Sequence, residues 1–129
     1  MKTYLFVLLA LYGAYYYVSR HYEFHDALVY AQKHPESKIS APVEYYVGMI
    51  YYQRADYPKA QEAFSALLAQ HPTDYYMEKA LMPLSHAADN NADWEAEKIA
   101  LQKYLDDYPS GKSVLAAKNK LEMVKYHHP

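Results

Sequence analysis

The sequence contains no cysteine among its 129 residues. This absence excludes a disulfide framework, a thiolate zinc site, a cysteine-ligated iron–sulfur cluster, a cysteine nucleophile and a lipid attached through cysteine. Glycine is also scarce, with three residues spaced far apart, so no glycine-rich loop is available to hold a phosphate group. The formal net charge of -2 gives no excess of basic side chains, and nucleic acid is therefore not expected as a partner.

Tyrosine is abundant, with 17 residues, and several of them close an apolar run near the N-terminus. The run covers residues 3–18 without a charged side chain and is flanked by Lys2 and Arg20. About 16 residues of α-helix extend for about 24 Å, which is the short end of the length that spans a bilayer. We therefore expect a transmembrane signal anchor over residues 1–19 that contacts the lipid bilayer through residues 3–18. Because aromatic rings favour the boundary between water and lipid, membrane-interface positions are predicted at Tyr15, Tyr16 and Tyr17.

A cleaved secretory signal peptide is the alternative interpretation of the same run. Cleavage after Ala10 or Ala14 would place bulky Leu8 or Tyr12 three residues before the cut, where a small residue is typical. A retained single-pass anchor is therefore favoured. The positive charges before the run place the N-terminus in the cytoplasm and the remainder of the chain on the opposite side, which is the periplasm in a bacterium.

The remainder of the chain carries an internal repeat. Pro35, Pro72 and Pro109 are spaced at intervals of 37 residues. Each of the last two prolines follows a helical pattern of apolar residues, and each pattern begins with an acidic residue next to an aromatic one. These acidic–aromatic pairs are Asp56-Tyr57 and Asp93-Trp94, again 37 residues apart.

One more helix is predicted before each of these segments. Apolar residues recur at helical spacing from Pro42 to Arg54 and from Tyr75 to Asn90, and a closing helix is predicted over residues 112–126. A regular succession of helix pairs indicates a helical repeat protein, in which each pair packs on the next.

The first complete unit resembles the tetratricopeptide repeat (TPR) family. The residues that carry the resemblance are Val47, Gly48, Tyr51, Asp56, Tyr57, Ala60, Phe64, Leu67 and Pro72. The next unit is weaker, because Glu97 occupies a position where the family usually has a small residue. The resemblance implies an all-α fold, in which a short TPR-like α-α superhelix follows the N-terminal transmembrane helix. Its expected extent is residues 20–129, with a partial unit at about 20–37, units at 41–74 and 78–111, and the closing helix.

Within this family, the repeats are similar to those of bacterial envelope proteins of the BamD and CpoB type, and the anchor-plus-repeat layout resembles that of YfgM. The resemblance implies a non-enzymatic scaffold for protein–protein interaction. We expect an accessory or assembly subunit of a larger membrane protein complex. A free periplasmic envelope scaffold, or a companion of a chaperone, is the alternative within the same class.

The first helix of each TPR unit lines the concave side of the superhelix in this family. The resemblance therefore implies a partner-binding surface on two of the predicted helices. Tyrosine and methionine suit such a surface, because they offer large contact areas and adaptable packing. Packing of the same residues against the chain's own terminal helices remains the alternative. The candidate partner-binding residues are Tyr45, Met49, Tyr52, Gln53, Met82, His86 and Asn90.

Two histidines raise a third hypothesis from a different class. His21 and His25 are four residues apart, which places them on one helix face, and such a pair can ligate a metal or a haem in an electron-transfer subunit. No third ligand accompanies the pair, so neither a metal nor another cofactor is expected. A Ser–His–Asp set is also missing, and no pattern indicates a pocket that separates the pKa values of two carboxylates, so enzyme activity is not expected.

Overall fold

The computed structural model describes residues 2–21 and 24–129 of the chain. Within these ranges the protein consists of α-helices joined by short turns and contains no strand. The helices are α1 (Lys2–His21), α2 (Phe24–Lys33), α3 (Ser40–Gln53), α4 (Tyr57–Gln70), α5 (Met77–Asn90), α6 (Trp94–Asp107) and α7 (Val114–His127).

Helices α2 to α7 stack in the order of the chain. Each helix packs against the next one along the chain. In addition, α2 contacts α4, and α3 contacts α5. Neighbouring pairs packed in this way bury one continuous core between them, as expected for a helical repeat protein. The all-α, TPR-like fold that the sequence indicates is therefore confirmed.

The turns within the two helix pairs repeat the same local structure. Asp56 and Asp93 are the N-cap residues of α4 and α6, and each carboxylate accepts a hydrogen bond from a backbone N–H three residues later. Immediately before them, Ala55 and Ala92 have positive φ angles of 59° and 56°. Each alanine ends the preceding helix in a Schellman turn, in which the N–H of the following aspartate bonds back to a carbonyl in the last helical turn.

Two helices begin later than the sequence predicts, for a local reason. Helix α5 begins at Met77 rather than at Tyr75, because the Asp74 carboxylate accepts a hydrogen bond of 3.0 Å from the N–H of Tyr76 and holds a turn there. Helix α7 begins at Val114, because the N–H of Ser113 donates instead to the hydroxyl of Tyr104.

Each helix pair buries a large ring on its second helix. Phe64 of α4 is fully buried, and Tyr104 of α6 is almost so. Gly48 of α3 lies directly against the ring of Phe64, so the missing side chain at Gly48 lets the two helices approach closely. The other fully buried apolar residues include Leu28, Leu67, Met77, Leu81 and Leu101.

The contact between Gly48 and Phe64 gives a first testable prediction. A methyl group at position 48 would lie 2.6 Å from Cε1 of Phe64, which is closer than packed carbon atoms approach. Such an overlap costs about 1–3 kcal/mol, more than the roughly 1 kcal/mol by which alanine favours a helix over glycine. We expect Gly48→Ala to lower the free energy of unfolding by about 1 kcal/mol, as measured by urea denaturation. Gly13→Ala is the matched control, because nothing lies within 4 Å of that position. An equal loss in both variants would contradict the packing argument.

The expected transmembrane anchor is not supported. No helix in the described residues is long and apolar enough to cross a membrane. The predicted run does form helix α1, but five tyrosines lie between Tyr4 and Tyr17, and their hydroxyl groups lower the mean hydropathy of the helix. The predicted membrane-interface residues, Tyr15, Tyr16 and Tyr17, are exposed on this helix. Their assignment to a lipid boundary stays a prediction.

Candidate partner-binding groove

A cavity with a volume of about 540 Å³ opens between successive repeats. Its walls come from α3, α5, α6 and the turn that precedes α7. We call this cavity the groove. It is lined by Tyr45, Glu78, Lys79, Met82, Tyr104, Ser110, Gly111, Lys112 and Ser113.

Tyr45, which lines the groove, is held in place by neighbouring rings. The half-buried ring of Tyr45 stacks on Tyr76, with centroids 4.9 Å apart, and meets Tyr46 edge-on at 5.1 Å. Tyr76 in turn is held by the Asp74 turn that precedes α5. Aromatic rings fixed in this way offer a large contact area with little entropy left to lose on binding.

The rim of the groove carries charges of both signs. Lys79 and Lys112 lie beside Glu78, and all three side chains are exposed. The ammonium of Lys79 donates a hydrogen bond of 2.9 Å to the hydroxyl of Tyr75, and this bond raises the pKa of Lys79. An apolar floor with a rim of mixed charge suits a peptide segment better than a strongly charged ligand.

A second cluster joins α3 to α5 around His86. The hydroxyl of Tyr52 and Nδ1 of His86 share a hydrogen bond of 2.8 Å, and the ring of Tyr57 meets the imidazole edge-on at 5.6 Å. The side-chain amide of Asn90 donates to the backbone carbonyl of His86. Burial is the larger cause that raises the pKa of Tyr52, and the nearby Tyr57 is the smaller one. The hydroxyl of Tyr52 therefore keeps its proton at neutral pH. The cluster therefore fixes the relative position of two neighbouring repeats.

The structure divides the predicted partner-binding residues into three groups. Tyr45 and Met82 line the groove. Tyr52 and His86 hold α3 against α5, and Asn90 bonds within α5 to the carbonyl of His86. The remaining two do not line the groove: Met49 packs against the core, and Gln53 is exposed at the end of α3.

Sequence reasoning missed much of the groove. It did not include Tyr104, Lys79 or the turn at residues 110–113 among the candidate partner-binding residues. The period of 37 residues holds a signal for that turn, because Tyr76 and Ser113 are separated by one period and both directly precede a first helix. Because Tyr76 packs on Tyr45, extending the repeat into the closing helix would have placed this turn beside Met82, one period after Tyr45.

The histidine pair of the third hypothesis is only partly described. Nε2 of His25 lies 3.2 Å from Oε1 of Glu62 on α4, so this imidazole already contacts a carboxylate of the repeat domain. The side chain of His21 lies outside the described residues. Among the side chains that the structure does describe, no three metal-binding groups lie close enough together to hold an ion.

A buried serine, histidine and glutamate also meet at the start of α3. Oγ of Ser40 donates a hydrogen bond of 2.8 Å to the backbone carbonyl of Ala31 and lies 2.9 Å from Nε2 of His71. Oε1 of Glu44 lies 3.6 Å from the same Nε2, whereas the acid of a catalytic triad contacts the other ring nitrogen. Because Ser40 and Glu44 are fully buried, the trio has no access to a substrate and instead bridges α2, α3 and the end of α4.

The stacked helix pairs and the groove between them define a TPR-like helical repeat protein of the kind that binds other proteins. A family model described as YfiO, outer membrane lipoprotein, matches residues 37–118, which is more than half of the chain. The chain therefore belongs to this family. The match covers α3 to α6 and reaches into α7, so it includes every residue that lines the groove. No curated protein matches the chain.

Proposed function

We propose that this protein is a non-enzymatic scaffold of the cell envelope that binds a segment of a partner protein in the groove, as an accessory or assembly subunit of a larger membrane-associated complex. The groove itself carries the proposal. Its volume of about 540 Å³ accommodates several side chains of an extended segment, and its walls combine fixed tyrosine rings with adaptable methionine. Membership in a family described as an outer membrane lipoprotein supports an envelope location.

The exposed surface of α1 supports membership in an assembly. Every large apolar side chain from Tyr4 to Tyr17 is at least half exposed, and together they form a continuous apolar surface along one helix. Surfaces of this kind mark places where another molecule binds. A subunit of a complex would cover α1 with a neighbouring protein and leave the groove to hold a second segment.

Co-purification of the full chain tests the proposal. After mild extraction from its native host, we expect a partner in a fixed stoichiometry, identified by mass spectrometry. Tyr45→Ala and Met82→Ala should reduce the recovered partner by about tenfold or more, because truncation of a central contact costs about 2 kcal/mol. Tyr30→Ala is the matched control, since this exposed tyrosine lies on α2 and does not line the groove.

Three outcomes separate the competing hypotheses. Loss of the partner in Tyr45→Ala and Met82→Ala, but not in the control Tyr30→Ala, supports the proposal. A monodisperse monomer that captures many unrelated proteins would favour the free scaffold or chaperone companion instead. Equal recovery in the groove variants and in the control would contradict the assignment of the groove.

A further inference from the structure

A second pocket lies at the other end of the last helix pair, away from the groove. Its volume is about 200 Å³, and it is formed by the end of α5, the first turn of α6 and the C-terminal half of α7. None of its residues contributes to the groove. The lining residues are Asp89, Trp94, Glu97, Lys120, Met123, Val124, His127 and His128.

Glu97 is the unusual residue of this pocket. Its side chain is almost completely buried, although the equivalent position one repeat earlier is the buried alanine Ala60. Neither carboxylate oxygen has a hydrogen-bond partner within the described part of the chain. The nearest cation, Nζ of Lys120, is 3.9 Å from Oε1, too far for a hydrogen bond, and lies 3.4 Å from the hydroxyl of Ser85. A buried carboxylate normally has a hydrogen-bond partner, so Glu97 is available to a donor that enters the pocket.

The charges around Glu97 indicate the sign and the magnitude of the charge that a ligand of this pocket would carry. Asp89 lines the same pocket and raises the pKa of Glu97, so two carboxylates and one ammonium, that of Lys120, lie around it beside the imidazoles of His127 and His128. With both carboxylates ionised, the two carboxylates and the ammonium carry one net negative charge. One additional monovalent cation neutralises them. Burial and then Asp89 raise the pKa of Glu97, which agrees with a site that lacks a positive charge.

The walls of the pocket indicate the shape of a ligand that would fit it. The Trp94 indole lies parallel to the His128 imidazole, with ring centroids 3.8 Å apart, and Met123 and Val124 add apolar surface. A volume of about 200 Å³ corresponds to about seven water molecules at roughly 30 Å³ each, below the usual range of small-molecule sites. The pocket therefore suits one short alkyl chain with a charged end rather than a larger ligand.

We propose that this pocket binds a single alkylammonium group, with Glu97 and Asp89 as its carboxylate partners and with Trp94 and Met123 along its alkyl chain. Such a group occurs at the end of a lysine side chain of another protein and in free small amines. The proposal concerns a different surface from the groove, so either assignment can fail without the other.

The indole of Trp94 provides a specific reporter, because it is the only tryptophan of the chain. We expect n-butylammonium chloride to shift the indole N–H resonance of the ¹⁵N-labelled full chain in a saturable manner. Glu97→Gln and Asp89→Asn should each weaken binding by about tenfold or more, because a charged hydrogen-bonding partner is lost. Glu95→Gln is the matched control, since this carboxylate lies on the same helix but points into solvent, and its affinity should remain unchanged. If Glu97→Gln does not fold, Glu97→Ala serves in its place, because Ala60 shows that the repeat accommodates alanine there.

Two further ligands complete the test. Butan-1-ol has a similar alkyl chain without the charge, and we expect it to bind at least about tenfold more weakly. Lysine capped at both backbone ends distinguishes the sources: binding equal to that of n-butylammonium assigns the site to a protein lysine, and markedly weaker binding assigns it to a free amine. A shift that does not saturate, an equal affinity for butan-1-ol, or an unchanged affinity in both Glu97→Gln and Asp89→Asn would overturn the proposal.

Discussion

Replacement of Phe64 by alanine is expected to lower the free energy of unfolding by about 3–5 kcal/mol, the usual cost of removing a buried aromatic ring. The ring is fully buried between α3 and α4, where Gly48 fits against its edge and Tyr45 lies 6.5 Å away. Small domains have a total stability of about 5–15 kcal/mol. The variant should therefore lose a large part of its stability and approach the unfolded state at 37 °C.

Urea denaturation followed by circular dichroism measures this loss. Phe64→Leu should cost clearly less than Phe64→Ala, since leucine occupies the equivalent buried position 101 in the next repeat. Tyr126→Ala is the surface control, because that ring is 83% exposed, and its effect should stay within about 0.5 kcal/mol. A loss below about 1 kcal/mol in Phe64→Ala would show that the ring is not part of a close-packed core.

The helical repeat was predictable from the sequence because local signals recur with one period. The N-cap carboxylates of Asp56 and Asp93 begin equivalent helices, and the residues one period apart at positions 64 and 101 are both buried. Short-range capping and apolar spacing fix these features, and both can be recognised without knowledge of the tertiary contacts.

The sites depend on contacts that the period does not encode. Tyr104 fits the repeat as a core residue, yet its hydroxyl also accepts a hydrogen bond from Ser113 and lines the groove. Glu97 departs from the repeat pattern, but only the packing of α7 reveals that its carboxylate is buried beside Lys120. In α1, the length of the apolar run predicts a membrane span, but its tyrosines lower the mean hydropathy. The expected span is therefore not supported in the described residues.

The two buried carboxylates are expected to make the protein less stable as the pH rises from about 5 to 8. Burial raises the pKa of Glu44 from its ordinary value of 4.5 to about 7, against the opposing effect of the hydrogen bond from Ser40. Burial, and then the neighbouring Asp89, raises the pKa of Glu97 to about 7, while Lys120 opposes the shift. Between pH 4.5 and 7 the folded protein therefore binds more protons at these two groups than the unfolded chain does.

The sign of the effect follows from this difference in bound protons. Each group contributes its full stability below about pH 4.5, where it is protonated in both states, and loses it as the pH rises through 7. A pKa change of this size corresponds to about 3 kcal/mol for each carboxylate, as an upper estimate. Most paired surface carboxylates act in the opposite direction, since their pKa values are lowered on folding, so a loss of stability above pH 5 that is removed by glutamine at positions 44 and 97 identifies the two buried carboxylates.

Urea denaturation at pH 5, 6, 7 and 8 separates the two contributions. Glu97→Gln should remove about half of the decline with pH, and Glu44→Gln should remove the remainder, because an amide at either position does not titrate. At pH 8, Glu97→Gln should be more stable than the unmodified chain by up to about 3 kcal/mol, since the buried charge has been removed. His71 lies 3.6 Å from Glu44, so Glu44→Gln also changes this contact. Glu95→Gln should leave the whole profile unchanged, because that carboxylate is exposed. A stability profile between pH 5 and 8 that Glu97→Gln and Glu44→Gln both leave unchanged would show that neither carboxylate is buried in the folded protein in solution, and the alkylammonium pocket would lose its central residue.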